Sequence, residues 1–325
     1  MNPLSAFYGA VTDVRNSLYD RGIFKAHRLH YPVISIGNLS IGGSGKTPFV
    51  IKMGELLLEH GFAVDVLSRG YRRKIKGVLQ VDPGGIAATF GDEPLLIARH
   101  LKCPVVVGAL RYDAGRWAEG HIKTGSKQRI HLLDDGFQHR QLARDFDIVL
   151  LTQEDIGDSL VPAGRLREEL PALARADAVV AMDGASLDGL ALETKHLWQA
   201  TRRLELPTVS GPVIAFAGVA RPKRFFEELR GSGIDVKHEI TFRDHYRYHS
   251  SDIRNLLRLR ERQMAVTFMT TEKDAVNLGA HLQALEPIVV PMNIEIREPK
   301  KVVETLLAVL AQRSGMRQST GTSRA

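Results

Sequence analysis

The chain has 325 residues, room for roughly two domains, and its 44% hydrophobic and 25% charged content is that of an ordinary soluble globular protein rather than a disordered one. A lone cysteine, Cys103, excludes an intrachain disulfide framework or a cysteine-based zinc site and favours a reducing compartment. With 44 Lys and Arg against 37 Asp and Glu, the net charge of +7 suits an anionic partner: nucleic acid, acidic lipid or a phosphorylated substrate.

Residues 3–21 open the chain with Leu4, Phe7, Val11, Val14 and Leu18 spaced by threes and fours, one apolar stripe of a helix, with Tyr8 beside it. Gly22 ends the pattern, and Ile23, Phe24, Lys25, His27 and Arg28 form a second, apolar-basic piece. Such a segment lies either in a membrane interface or against its own domain, and the pattern alone favours the second. The first thirty residues lack a basic start followed by an apolar core, so no secretory signal is expected. The longest stretch free of Asp, Glu, Lys and Arg, residues 29–45, is broken by Pro32 and four glycines and cannot span a bilayer as an apolar helix.

A buried strand is predicted over 33–36, then a glycine-rich turn over 37–45 and a helix over 48–60, with Pro48 in its first turn and Gly61 past its end. Short, β-branched apolar runs follow at 63–67, 105–107, 130–133, 146–151 and 178–182, with stretches between them long enough for crossover helices. That is the signature of a mostly parallel α/β sheet covered on both faces, of the P-loop NTPase type. Around 205–211 a Leu-Pro-Thr-Val-Ser-Gly stretch reads as a linker. Beyond it come a strand at 213–216, a helix at 222–230, a strand at 235–240, a helix at 251–260, strands at 265–269 and 288–292, and a helix at 300–311. The expected organisation is an N-terminal segment (1–30), a core domain (31–208), a smaller α/β domain (209–313) and a disordered polar tail (314–325).

The chemistry starts at Gly42-Gly43-Ser44-Gly45-Lys46-Thr47, between a predicted strand and a predicted helix. It matches G-x-x-x-x-G-K-[ST] except at the first position, where Ser40, followed by Ile41, stands in place of glycine. Gly42, Gly43 and Gly45 still let backbone N–H groups turn inward around phosphate oxygens at the positive end of the following helix. In this pattern Lys46 reaches the β- and γ-phosphates and the Thr47 hydroxyl ligates Mg²⁺. A phosphate loop needs an acid at the end of a neighbouring strand to hold the magnesium shell, and Asp134-Asp135 supply it, with Asp134 favoured. Asp92 and Glu93 open an apolar helix; they serve either as favourable charge on its dipole or as a base for an acceptor hydroxyl.

Other signals point nowhere specific. Arg69, Arg72, Arg73, Lys74 and Lys76 crowd one loop, but only Tyr71 interleaves with them, unlike a single-stranded nucleic-acid site. Twelve histidines include no H-E-x-x-H spacing. Thr271-Glu272-Lys273-Asp274 is out of register with a guanine-reading N-K-x-D, since Ala275 stands two residues after Lys273.

Together the chain resembles the tetraacyldisaccharide 4′-kinase family, the lipid A 4′-kinases of Gram-negative bacteria. The matching pieces are Gly37-Asn38 before the phosphate loop, Ser68-Arg69-Gly70-Tyr71, Gly91-Asp92-Glu93-Pro94, Asp134-Asp135-Gly136-Phe137-Gln138-His139, Pro162-Ala163-Gly164-Arg165-Leu166-Arg167-Glu168, Phe242-Arg243-Asp244-His245 and Thr270-Thr271-Glu272-Lys273-Asp274. They run in family order over most of the chain, and the stretch from Asp134 to His139 is far more specific than a phosphate loop. The resemblance implies an ATP- and Mg²⁺-dependent lipid kinase, peripheral on the cytoplasmic face of an anionic inner membrane. Its acceptor is the 4′-hydroxyl of an acylated disaccharide 1-phosphate, with no nucleic acid and no obligate protein partner. It also implies that residues 1–30 touch the membrane, that Asp92 is the base with His245 as its partner, that Arg167 sits near the transferring phosphate, and that Glu93 joins the metal set. Glu168-Glu169 stands where Glu-Pro is expected, and Arg243 varies the residue before Asp244-His245; neither touches the catalytic set. A phosphate-loop metallochaperone and a nucleic-acid-binding ATPase are the competing classes. The first lacks Cys/His clusters, and the second would show salt-dependent nucleic-acid binding.

Overall fold

The computed structural model describes residues 2–321, with side chains to Arg313. Its strands are β1 (Val33–Asn38), β2 (Ala63–Ser68), β3 (Leu79–Gln80), β4 (Val105–Val107), β5 (Arg129–Asp134), β6 (Phe146–Leu151), β7 (Ala178–Met182), β8 (His196–Leu204), β9 (Val213–Ala217), β10 (Val236–Thr241), β11 (Thr267–Thr271), β12 (Ile288–Val290) and β13 (Met292–Ile296). Its helices are α1 (Pro3–Asp20), α2 (Lys46–Glu59), α3 (Ala87–Phe90), α4 (Asp92–His100), α5 (Arg111–His121), α6 (Gln153–Ile156), α7 (Pro222–Gly231), α8 (Ser250–Gln263), α9 (Glu272–Leu278), α10 (Leu282–Leu285) and α11 (Pro299–Gly321).

Nine strands form one sheet in the order β13-β8-β7-β6-β1-β5-β2-β4-β3, parallel except for β3 and β13 at its two edges. Alternate residues of the central strands enter opposite cores: Ile34, Ile36, Ile130 and Leu132 pack on one face with Phe49 and Met53 of α2, and Val33 and Leu133 on the other with Ala114 and Ala118 of α5. Burial on both faces explains why these strands read as unbroken apolar runs. The strand order reverses at β1, which lies between β5 and β6. This reversal opens the crevice at the carboxyl edge where such sheets bind ligands, and the pairing of Ile36 with Asp134 puts both motif ends there.

The second sheet, β10-β9-β11-β12, is wholly parallel. The chain does not remain in it. A single strand is predicted over 288–292, but Pro291 divides it, since proline offers no N–H to continue a ladder. β12 ends the small sheet, and β13 crosses back to pair antiparallel with β8 at the edge of the large one. Val302, Val303, Leu306 and Leu310 of α11 then bury in the same core as α2. At roughly 1.5–3 kcal/mol per buried aliphatic side chain, that anchorage ties the end of the chain to the first sheet, not to the 209–313 unit of the sequence reading. The backbone of α11 continues to Gly321, while the side chains of the expected disordered tail and residues 322–325 lie outside the described residues.

Helix α1 spans the predicted residues but docks by its polar side. Buried Ser5 donates to the Leu160 carbonyl at 2.9 Å, Gly9 faces Leu160 where a Cβ would come within 2.8 Å, and Asn16 donates to Glu168 at 2.6 Å. Leu4, Phe7, Val11 and Val14 stay 53–71% exposed, and Ile23 and Phe24 just beyond the helix are exposed too, at 61% and 43%.

Candidate active site

The phosphate loop leaves β1 and enters α2 through three glycines at positive φ: Gly42 (68°), Gly43 (76°) and Gly45 (86°). An L side chain is strained in that region. Gly45 is the N-cap of α2 and contributes no side-chain bond, so the first-turn N–H groups stay available to an anion. The outer carbonyls are taken from behind: Arg165 donates to those of Ile41 and Gly42, and Arg202 to that of Gly43 at 2.7 Å. Ser40, expected in the phosphate cradle, lies fully buried beneath it, accepting from Asn38 at 3.1 Å. Ile41, Gly42, Gly43, Ser44, Gly45, Lys46 and Thr47 line a cleft of about 540 Å³ between the two sheets, together with Glu93, Asp134, Asp135, Arg167, His245 and Lys273.

At the floor of the cleft Lys46 Nζ donates to Asn38 Oδ1 at 2.9 Å and lies 3.5 Å from Asp135. Arg167 makes a two-point pair with Asp135, at 2.7 and 2.9 Å, and also reaches Asn38. Burial raises the Asp135 carboxyl, but Lys46 and Arg167 outweigh it and hold the group well below the usual carboxylate range. Asp134 differs. It accepts from Ser68 Oγ at 2.8 Å and forms no ion pair among the described residues. Burial, then the charges of Glu93 and Asp135, push it up to about 7. The two neighbours thus separate in role: Asp135 is a fixed counter-ion, and Asp134 is an acid without a cation. Among the described residues no group of three or more His, Cys, Asp or Glu could hold a metal ion by itself. An ion there would need oxygens from phosphate and from the Thr47 hydroxyl.

The other wall joins the two sheets. Asp92, buried at the start of α4, accepts from His245 Nδ1 at 2.7 Å and from Asn277 Nδ2 at 3.1 Å through Oδ2, and from the Glu93 N–H at 3.0 Å through Oδ1. His245 sits in the left-handed region at φ 58°, in a turn held by Arg72, which donates to the carbonyls of Asp244 and His245. The Tyr71 ring meets the His245 ring edge-on at 5.2 Å. Lys273 of α9 bridges Glu93 at 3.2 Å and Asp244 at 3.1 Å. Burial raises the Asp92 carboxyl, but the hydrogen bond from His245 and the Lys273 charge outweigh it and hold the group well below its ordinary value.

Of the residues named from sequence as catalytic, Lys46, Arg167 and His245 line the cleft, and Asp92 lies in a small recess that His245 also lines. Glu93 faces Lys273. His139 packs away from this set, its pKa pulled down to about 3 by burial and then by Arg111 and Arg144. Asn38, Ser68 and Asn277 carry contacts that sequence reasoning did not assign. Asn38 stands immediately before the loop, where a polar side chain inside an apolar strand was the available signal.

Known proteins sharpen this geometry. The sequence profile described as Tetraacyldisaccharide-1-P 4′-kinase matches residues 1–311. The chain belongs to this kinase family. It is 44% identical over 326 residues to the tetraacyldisaccharide 4′-kinase of Koribacter versatilis, covering 97% of this chain and all of that one. The enzyme of the same name from Shewanella halifaxensis is 40% identical, covering 84% and 82%. The crystal structure of LpxK from Aquifex aeolicus in complex with ATP superimposes with a TM-score of 0.74 at 33% identity, over 95% of this chain and 98% of that one. Membership of the family makes this protein a kinase of the lipid A 4′-phosphorylation step, on the mixed α/β fold expected. No described helix is long and apolar enough to cross a membrane.

Proposed function

We propose that this kinase transfers the γ-phosphate of ATP to the 4′-hydroxyl of a tetraacylated glucosamine disaccharide 1-phosphate while resting on an anionic membrane surface. The observation that carries the reading is that His245, hydrogen-bonded to Asp92, lines the same cleft as the phosphate loop. A plain nucleotide hydrolase needs no second wall of this kind. Phosphoryl transfer passes through a loose transition state, so positioning and charge supply most of the rate. The loop N–H groups and Lys46 hold the β- and γ-phosphates, and Arg167, fixed by Asp135, faces the transferring group. Asp92 takes the acceptor proton, with His245 orienting it from the other sheet. Mg²⁺ suits the oxygens present: Thr47, Asp134 and Glu93 would hold it, and the raised Asp134 carboxyl is what an acid cluster without its cation gives. Held there, such an ion would supply charge neutralisation to the phosphates.

Helix α1 supports the membrane surface. Its apolar side chains point outward while its polar side chains dock, the reverse of a helix that packs by its apolar face. Incubation with labelled ATP, Mg²⁺ and the acylated disaccharide 1-phosphate in mixed micelles tests the reaction; absence of labelled lipid overturns it. Replacing Leu4, Phe7, Val11 and Val14 by serine tests the surface. Sedimentation with anionic liposomes is expected to fall with little change in melting temperature, and unchanged sedimentation removes the anchor.

A further inference from the structure

The segment Thr271-Glu272-Lys273-Asp274 has no role in the reaction as described so far, yet Lys273 touches the catalytic wall at three points. Its surroundings are rigid. Thr271 caps α9 by accepting from the Asp274 N–H, and buried Asp274 accepts from the Gly218 N–H at 2.8 Å and from the Tyr248 hydroxyl at 2.7 Å. The next helix face lies against α4 in the opposite direction: Glu272 accepts from His100 at the far end of α4, and Asn277 donates to Asp92 at its start. Lys273, its side chain 17% exposed, therefore projects from a fixed support into the cleft.

We propose that Lys273 is a positioning residue that fixes the ring tautomer of His245 and so secures its hydrogen bond to Asp92; this rests on the reading of Asp92 and His245 as a catalytic pair. The Lys273 ammonium lies 3.4 Å from His245 Nε2 while donating to Glu93 and Asp244. An ammonium has donors and no acceptor. A ring proton on Nε2 would point at that group, so Nε2 presents its lone pair and the proton sits on Nδ1, 2.7 Å from Asp92 Oδ2. The competing acceptor is Asp244 Oδ2, but it stands 3.8 Å from Nε2, beyond hydrogen-bond reach. Its partner oxygen is occupied by Lys273 and by the His245 N–H at 3.0 Å. With Nδ1–H donating, His245 is an orienting donor to Asp92 and not the recipient of the acceptor proton. The carboxylate receives that proton itself.

The test is nitrogen-15 NMR of histidine-labelled full-length protein in detergent, with His245→Gln assigning the resonance by its loss. The expected result is a His245 ring protonated at Nδ1 and bare at Nε2 in the unsubstituted protein, changing in Lys273→Met. An Nε2–H ring in the unsubstituted protein overturns the proposal whether or not any variant folds. In steady-state assays Lys273→Met is expected to lower kcat by about 10²-fold with the KM for ATP within about threefold, and Lys273→Arg to recover a large part of the loss. Equal losses in kcat and in ATP affinity, or no recovery by arginine alongside an unchanged tautomer, would also overturn it. If instead Asp92→Asn retains full turnover, the pair itself fails, while the tautomer measurement still stands on its own.

Discussion

The two ends of the cleft are built differently. The phosphate end comes from one strand–loop–helix unit and the strand beside it: Asn38, Lys46, Asp134 and Asp135 all lie on or next to the paired β1 and β5. Its charges pair with one another, as in the Asp135–Arg167 and Asp135–Lys46 contacts. The acid–histidine end comes from α4, the turn after β10 and α9, so it exists only while the second sheet lies against the first. One end is thus built within the first sheet's unit, and the other by packing of the second sheet's unit on α4. Substitutions at the first should damage chemistry without touching that packing, and substitutions at the second should couple the two.

The largest effect belongs to the phosphate end. Lys46→Ala removes the charge proposed to act on the transferring phosphate, and kcat at saturating ATP is expected to fall at least about 10³-fold. Because Arg167 still pairs with both Asp135 and Asn38 once the Lys46 ammonium is gone, the thermal midpoint should stay within a few degrees. Near-normal turnover would break the assignment of this end.

At the acid–histidine end, Asp92→Asn keeps the shape and removes the basicity, with an expected loss of about 10²-fold. His245→Ala removes its orienting donor. If the two work as one unit, the double variant is only slightly worse than the poorer single one. Losses that multiply would show that the two residues act separately, and the comparison between ends would lose its basis.

Legibility in the sequence follows the same division. The central strands were readable because burial on both faces makes them continuous apolar runs, and the phosphate loop because three glycines and Gly-Lys-Thr stand between a strand and a helix. Three strands escaped, two at the sheet edges and one beside an edge. In β8 buried and exposed residues mix, and its arginines mask the pattern; β3 is two residues long; β13 hides behind Pro291 in what reads as one strand. The Asp92–His245 contact joins residues 153 apart, a closeness that no local period encodes. It came from family resemblance, and Lys273 and Asn277, whose value lies only in what they face, went unassigned.

Protonation distinguishes the ends in a second way. Asp134 has a folded pKa of about 7, against a reference of 3.8, raised by burial and then by Glu93 and Asp135. A carboxyl whose folded value exceeds its unfolded one binds the proton more tightly when folded. Its contribution to stability is therefore complete below about pH 4 and is lost as pH rises toward 7, at roughly 1.4 kcal/mol per unit, or tenfold in the folding constant. Asp134→Asn is expected to flatten this slope in chelator-treated protein, read from denaturant melts across that range. The same slope persisting in the variant would move its origin away from the phosphate end.

The smallest effect falls on the supporting contact of the acid–histidine end. Asn277 Nδ2 is one of two side-chain donors to Asp92 Oδ2, reaching it from α9 as His245 does from the turn after β10. Asn277→Ala leaves His245 in place, so Asp92 keeps its principal partner and loses a hydrogen bond to a charged group worth about 1.5–3 kcal/mol at most. Part of that returns as water enters the truncated space beside Arg72 and Arg247, which line the same recess. The expected outcome is a kcat lowered about five- to tenfold with an unchanged KM for ATP, since nothing at the phosphate end has moved. Asn277→Asp sharpens the point: it is nearly isosteric but sets a second carboxylate against Asp92, and repulsion across the α4–α9 contact opposes that packing. That variant should be worse than alanine and should respond little to ionic strength, because Asp92 is buried and a repulsion there is only weakly screened. An alanine variant with weakened ATP binding would mean that the two ends are coupled more tightly than separate assembly allows.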